Sequence, residues 1–551
     1  MVDAREYHER TKHSPESVRG DSFTLDFSNK PRPSKAYVDL PRVSLTVERD
    51  PPPVPALEAI ANANASPVAG RHTNESTTTV ETENLPPSPP AVTVEDLQTM
   101  CHYATGITKH LEVQGRRTPF RAAACTGKLY HIDLYAVTGP LSTGPGTDAS
   151  TDDPRDRDAG AALAAGIYHF DPESGDFDVV REGDYRPVLA AATGGYEEVM
   201  DAPVTFVATS QWWRNAWKYR ARTFRHAFWD SGTILANLLA TAHALGHRGS
   251  LVLGFADDHV AELLGLDPDR EAPLELVPVG SNGQVGSETQ GVSVGRIDPA
   301  EVPLSDTVVD YPLVPDAWRQ SRLSDGSAAA DWRRTALNQD QDTMETHGIG
   351  DGEIVELAPV DEVTASSRPI GRTIERRGSL REYSHEPISD RLFATVLDRA
   401  FRGVPVDSQV GGDSPGIIDV YTLVHAVEGV QSGAYQYHPG ESVLERLGDT
   451  SRDQAGRLAL GQSVVGDAAA NVYVMADIEA VVESLGNRGY RLAQLLGGIS
   501  LGRLYLATYA HRAIGGRGFT FFDDLVTEAF SPRAANQTPM TMFAFGNPDR
   551  D

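Results

Sequence analysis

The chain has 551 residues, 77 acidic and 49 basic, for a formal charge of −28 at pH 7. That balance argues against nucleic acid and anionic membranes as partners, because both are gripped through clustered Lys and Arg. A hydrophobic content of 40% allows proper cores in about two to four domains.

In chain order, the polar start (Met1 to Ser14) has no apolar h-region, and residues 1–50 read as an ordered arm. Residues 50–91 are rich in Pro, Ala, Asn, Ser and Thr and read as a low-complexity linker. Val92 to Gly106 reads as a capped helix ended by glycine. Ile132 to Val137 and Gly166 to Pro172 read as strands, with an acidic insertion, Ser142 to Gly160, between them. A long helix follows from Lys218, then a glycine turn and a strand ending at Asp258. Residues 281–365 read as a polar linker or insertion, with one helix near Ala328 to Leu337. Pro387 to Gly403 is again a capped helix, Ile418 to Val424 and Gly433 to Pro439 are strands, and Ser484 to Asp524 is again helix, glycine turn and strand.

The two series are one pattern met twice. Arg222 aligns with Arg488, Arg225 with Arg491, Gly232 with Gly498, Gly249 with Gly515, and Asp257-Asp258 with Asp523-Asp524, at a constant offset of 266 residues. A period that long is no solenoid unit, so two related domains stand in tandem, 92–280 and 366–551. The class is α+β. Cys101 and Cys125 make no CxxC pair and no disulfide framework, which places the chain inside the cell, in the cytoplasm. Six lysines, none beyond Lys218, beside many Arg and acids fit a salt-rich, halophilic cytoplasm or a plain arginine bias. The histidines show no metal-ligand spacing, and no metal is expected.

The second domain opens with Arg376, Arg377, Ser379, Arg381 and Tyr383. Three guanidiniums and a hydroxyl within six residues suit a phosphate, since Arg forks bind its oxygens bidentately, unless they form a solvated turn. Neither dinucleotide nor P-loop glycine patterns occur before them. This opening resembles the RR-S-x-R-x-Phe/Tyr start of the FMN-dependent nitroreductase family. The resemblance sharpens towards its SagB-type dehydrogenase branch, which includes azoline oxidases. Tyr7 to Ser14 is similar to that branch's N-terminal signature, Phe120 to Val137 to its R-x-x-P-S-x-G-x-L-Y segment, and Lys218 to Leu238 to its Lys-Tyr helix.

The sequence departs from the family at several points. Pro-Ser becomes Ala124-Cys125, and Gly-His becomes Gly232-Thr233. The first domain lacks RR-S-x-R, and the second carries Ser408 to Gly416 in place of R-x-x-P-S-x-G. The losses are complementary. Family members are homodimers with FMN at the interface, so the resemblance implies an internal pseudo-dimer with one FMN per chain. Arg121, Cys125, Thr126 and Gly127 would come from the first domain, and Arg376, Arg377, Ser379 and Arg381 from the second. Gly515, Gly516 and Gly518 would let the backbone approach the flavin, or form an ordinary turn. Lys218 and Tyr219 match the branch's proposed general base, or are a capping residue and a core residue. Arg222, Arg225, Arg488 and Arg491, kept in both copies, suit an ion network between domains better than flavin contact. The resemblance leaves a small-molecule or peptide substrate open, admits NAD(P)H and a higher oligomer, and leaves a flavin-free scaffold as a reading from another class.

Overall fold

The computed structural model describes residues 2–45, 50–63, 90–113, 115–144, 162–281, 294–338, 348–361, 368–407 and 416–549. Most of the low-complexity stretch, most of the acidic insertion and nearly all of Ser408 to Gly416 lie outside them. In chain order the strands are β1 (Arg42–Val43), β2 (Ile107–Val113), β3 (Arg116–Arg121), β4 (Ile132–Thr138), β5 (Gly166–Phe170), β6 (Phe177–Glu182), β7 (Val204–Gln211) and β8 (Glu271–Val279). They continue as β9 (Ile354–Glu356), β10 (Asp419–Val424), β11 (Gly433–His438), β12 (Val443–Gly448), β13 (Ala470–Ala476), β14 (Gly515–Phe519) and β15 (Thr538–Gly546).

One sheet runs β1-β6-β5-β4-β7-β8 and the other β14-β15-β13-β10-β11-β12-β9, with β2-β3 as a separate hairpin. The inner order is the same in both, β5-β4-β7-β8 against β11-β10-β13-β15. β4, β7 and β13 are buried at every residue, as central strands covered on both faces must be. The α+β reading holds. The segment 281–365, expected as a linker or insertion, carries helices Leu313–Gln320 and Gly326–Asn338 and edge strand β9. It is built like the N-terminal arm, whose helix Ala4–Arg10 is likewise followed by an edge strand, β1.

The centre is a crossing of two long helices, Thr223–Ala244 and Ile478–Ala510, both buried nearly all round. They meet backbone to backbone at the aligned glycines. A Cβ on Gly232 would overlap the Gly498 backbone, and one on Gly498 would overlap the Phe228 carbonyl and the Trp229 backbone. The second helix breaks at Gly486, with φ 65° and ψ −170°. At the aligned position the first half has Arg220, with φ 50° and ψ −132°. A side chain therefore sits in a conformation that glycine adopts freely, next to the candidate site.

Two matching ion clusters close the seam. Arg225 donates to Asp523 Oδ1 at 2.6 Å and Arg222 to Oδ2 at 3.2 Å. Arg491 donates to Asp257 Oδ1 at 2.7 Å and Arg488 to Oδ2 at 2.5 Å. Each cluster is topped by an arm. Arg225 Nε bonds Thr11 Oγ1 and its Nη2 the His8 carbonyl, while Arg491 Nε bonds Ser321 Oγ and its Nη2 the Trp318 carbonyl.

Beside the Asp257 cluster, Glu275 is fully buried with neither carboxylate oxygen hydrogen-bonded. Burial pushes its carboxyl up to about 8, against the opposing charges of Arg491 and Arg488. A raised carboxyl means the folded chain keeps a proton the unfolded chain gives up. The penalty is absent below the unfolded value, grows from about pH 4.5 to about pH 8, and then levels off. At about 1.4 kcal/mol per unit, the full cost is on the order of 5 kcal/mol. Glu275→Gln is therefore expected to raise the melting temperature at pH 8.5 and to change it little at pH 4.5. An equal shift at both pH values would show that packing, not the proton, is responsible.

Candidate functional site

On the first half's side of the seam, the turn after β3 is organised by Asp230 of the first long helix. Its carboxylate accepts from the Thr126 amide at 2.9 Å, the Thr126 hydroxyl at 2.7 Å and the Cys125 thiol at 3.1 Å. It also lies 3.0 Å from His131 Nε2, whose Nδ1 faces the Ser210 hydroxyl. Gly127 and Lys128 follow in the left-handed region, with φ of 64° and 60°. A Cβ on Gly127 would lie 2.6 Å from the Tyr219 hydroxyl, so only glycine lets turn and tyrosine close on each other. Burial, reinforced by Asp230, pushes the Cys125 thiol well up, which keeps it protonated and a poor nucleophile. Burial also raises the Tyr219 phenol, with Asp230 and Cys125 adding and Arg517 opposing. Lys218 is half-buried over the Tyr219 ring, 5.1 Å from its centroid, and burial followed by the charge of Lys30 lowers its ammonium.

On the second half's side, Arg376 and Arg377 do not converge on one anion. Arg376 donates to the carbonyls of Tyr509, His511 and Arg512 at the end of the second long helix. Arg377 crosses into the first half and donates to the carbonyls of Arg121, Ala122 and Ala123. Lys109 of the β2-β3 hairpin reaches back to the carbonyls of residues 375–377. Burial, then Arg377, lowers its ammonium to about 8. Ser379 and Arg381 are exposed and have no protein partner among the described residues. The Leu380 amide bonds the Gly516 carbonyl at 3.3 Å, which lays this loop along β14. Arg517 of β14 lies over Phe519, and its charge acts on the Tyr219 phenol of the first half.

Several expected contacts are redirected. Arg121 is buried and donates to the Pro33 carbonyl and to Thr105, not outward. Cys125 and Thr126 spend their donors on Asp230. A Cβ on Gly516 would overlap Phe543, and one on Gly515 would meet Leu380 and Tyr509, so side-chain packing explains both glycines. Gly518 donates its amide to the Tyr505 hydroxyl at 2.8 Å. A cavity of about 10 Å³ among Arg121, Cys125, Tyr130 and Asp230 has room for one water at most. The groups that remain at the seam are Gly127, Lys218 and Tyr219 from one half and Ser379, Arg381 and Arg517 from the other. That narrower set fits a flavin phosphate at Ser379 and Arg381, where a hydroxyl and a guanidinium are free to bind it. Asp230 and Arg517 are missing from the sequence reading. Arg517 is the one charged residue in its glycine stretch, and that was a usable signal. Asp230, one acid among 77, carried none.

Among the described residues, no group of three or more His, Cys, Asp or Glu could hold a metal ion. None of their helices is long and apolar enough to cross a membrane.

Residues 90–281 match the model of the Nitroreductase family. The chain is similar to MJ1384 of Methanocaldococcus jannaschii, described as a nitroreductase, at 25% identity over 164 residues, covering 29% of this chain and 79% of that one. It is also similar to the Microcin B17-processing protein McbC of Escherichia coli, at 27% identity over 109 residues. That match covers 20% of this chain and 40% of McbC. Among solved structures, one from Anabaena variabilis described as a nitroreductase matches with a TM-score of 0.70 and 22% identity, covering 99% of both chains. This shows the nitroreductase fold over the whole chain.

Proposed function

We propose that the chain is an FMN-dependent oxidoreductase of the SagB-type dehydrogenase kind, with one flavin site composed from both halves, 92–280 and 366–551, acting as an internal pseudo-dimer. One observation carries the reading. Ser379 and Arg381, exposed and without a protein partner among the described residues, flank Leu380, whose amide ties their loop to β14 of the second half, and the charge of Arg517 of that strand acts on the Tyr219 phenol of the first. Members of the Nitroreductase family are flavin-dependent oxidoreductases, and a bound flavin supplies hydride transfer at its N5. Ser379 and Arg381 would hold its phosphate. Lys218, whose burial favours the neutral amine, takes the substrate proton, and Tyr219, held protonated, donates a hydrogen bond. The similarity to a microcin-processing protein supports a peptide substrate, and the resemblance to azoline oxidases makes that substrate a peptide azoline, oxidised to an azole, rather than a nitro compound or quinone reduced by NAD(P)H. A flavin-free scaffold is favoured by a different observation, the internal commitment of Arg376, Arg377, Cys125 and Thr126.

The visible spectrum of protein purified in molar salt decides between them. The expected result is one FMN released per chain on denaturation, with a marked loss in Arg381→Gln and Ser379→Ala. No flavin after reconstitution would leave the scaffold standing, and two per chain would remove the single composite site. Turnover of NAD(P)H with menadione would favour the reductase.

A further inference from the structure

Lysine is rare in this chain, and three of its six lysines gather at one place. The other three are spoken for. Lys12 pairs with Glu9 and Asp524, Lys35 with Glu271 and Glu301, and Lys109 with three backbone carbonyls. Lys30, Lys128 and Lys218 have no carboxylate partner among the described residues. They come from the N-terminal arm, the left-handed turn after Gly127 and the helix Trp212–Tyr219, yet they form one contiguous surface. Lys30 lies over the ring of Trp217, 5.9 Å from its centroid. Trp217 precedes Lys218, which lies over Tyr219. The Tyr219 hydroxyl abuts Gly127, and Lys128 comes next, 4.1 Å from the centre of the Phe120 ring.

Three facts separate this from a solvated charged surface. The charge of Lys30 lowers the ammonium groups of both Lys128 and Lys218, after burial, with no acid acting on either. In a chain with 77 acids, that repulsion stands uncompensated. Lys128 is also held at a positive φ, a conformation non-glycine residues adopt at a cost and which gathers at functional positions. Finally, the fold does not require the charge, since the residue aligned with Lys218 in the second half is Ser484.

We infer that Lys30 and Lys128 form a cradle for a multiply charged anionic group, phosphate or carboxylate, on the molecule that enters the seam from the first half, and so hold that molecule beside Lys218. It is separate from Ser379 and Arg381, which serve the other half's side. As a statement about the substrate, the inference rests on the oxidoreductase reading; as an anion site, it stands on the lysines alone.

The test titrates the intrinsic tryptophan fluorescence of the full chain, to which Trp217 contributes, with pyrophosphate and separately with citrate at fixed KCl. Saturable binding of either probe is expected, and the tighter probe names the source of the charge. In Lys30→Gln/Lys128→Gln the dissociation constant is expected to rise about tenfold or more, given the strength of charge-assisted bonds. Lys12→Gln, which removes an engaged lysine, is expected to leave it unchanged. Melting temperature checks folding, and FMN is measured on the same samples. Saturable binding without flavin supports the cradle and removes only the flavin. Flavin present with no saturable binding of either probe overturns the cradle, as does a double variant that binds within twofold of the parent.

Discussion

Gly498→Val is expected to leave little or no folded protein, because its side chain would occupy space held by backbone. The neighbours there are the Phe228 carbonyl and the Trp229 backbone, in the middle of a helix buried on all sides. Ordinary overpacking costs about 1–3 kcal/mol because side chains can give way. Two helix backbones in contact cannot, short of separating the helices along their length, and separation would also open the seam where the candidate site lies. Gly502→Ala, whose added Cβ meets the Ala236 Cβ at 2.6 Å and the Thr233 Cα at 2.9 Å, adds only one carbon there and is expected to lower the melting temperature by several degrees while keeping the fold. Gly440→Ala, with nothing within 4 Å of the added atom, is expected to be neutral. Soluble yield and thermal melting of the three variants check this order. A Gly498→Val protein melting within a few degrees of the parent would show that the helices do not cross at these glycines.

That crossing explains how much could be read from the sequence. The register of 266 residues aligned Gly232 with Gly498, and contact between them is what an internal twofold arrangement of two matching helices produces. Arg222, Arg225, Arg488 and Arg491 were legible as an ion network for the same reason, since both copies keep them along with Asp257 and Asp523. The arms were less legible. Helix Ala4–Arg10 and helix Leu313–Gln320 make the same bonds to Arg225 and Arg491, but through backbone carbonyls and one small hydroxyl each. Carbonyls leave no trace in a sequence, so the central segment read as a linker or insertion with one helix, the one found at Gly326–Asn338, and its helix Leu313–Gln320 went unread. The same blindness affected Arg376 and Arg377. Adjacent guanidiniums look like a phosphate fork, and nothing in the letters reveals that one turns to the end of the second long helix, the other to the turn after β3, and both spend their donors on carbonyls.

Asp523→Asn is expected to be a very costly near-isosteric change. Asp523 is fully buried between Arg222 and Arg225. Burial alone would raise its carboxyl, but the two guanidiniums outweigh it and hold the carboxyl well below the usual range. Asparagine keeps the shape and one acceptor but leaves two buried cations without a counter-charge, a loss of about 3–5 kcal/mol when one partner of a buried pair is removed. The pair's contribution has a definite pH signature. A depressed carboxyl stabilises the fold fully above the unfolded value near 3.9, and that stability is lost as pH falls towards the lower folded value. The parent is therefore expected to lose melting temperature steeply below about pH 4, and the variant, already without the charge, much less steeply. Salt gives a second signature. Surface pairs such as Lys12 with Asp524 are screened, whereas a buried pair is screened far less. The gap between parent and variant is expected to persist from dilute buffer to molar KCl. At neutral pH, Asp257→Asn should likewise lower the melting temperature, since it too leaves two buried guanidiniums, Arg488 and Arg491, without their counter-charge. Equal acid sensitivity of parent and Asp523→Asn, or a gap that vanishes in molar salt, would show that these clusters are not what locks the two halves together.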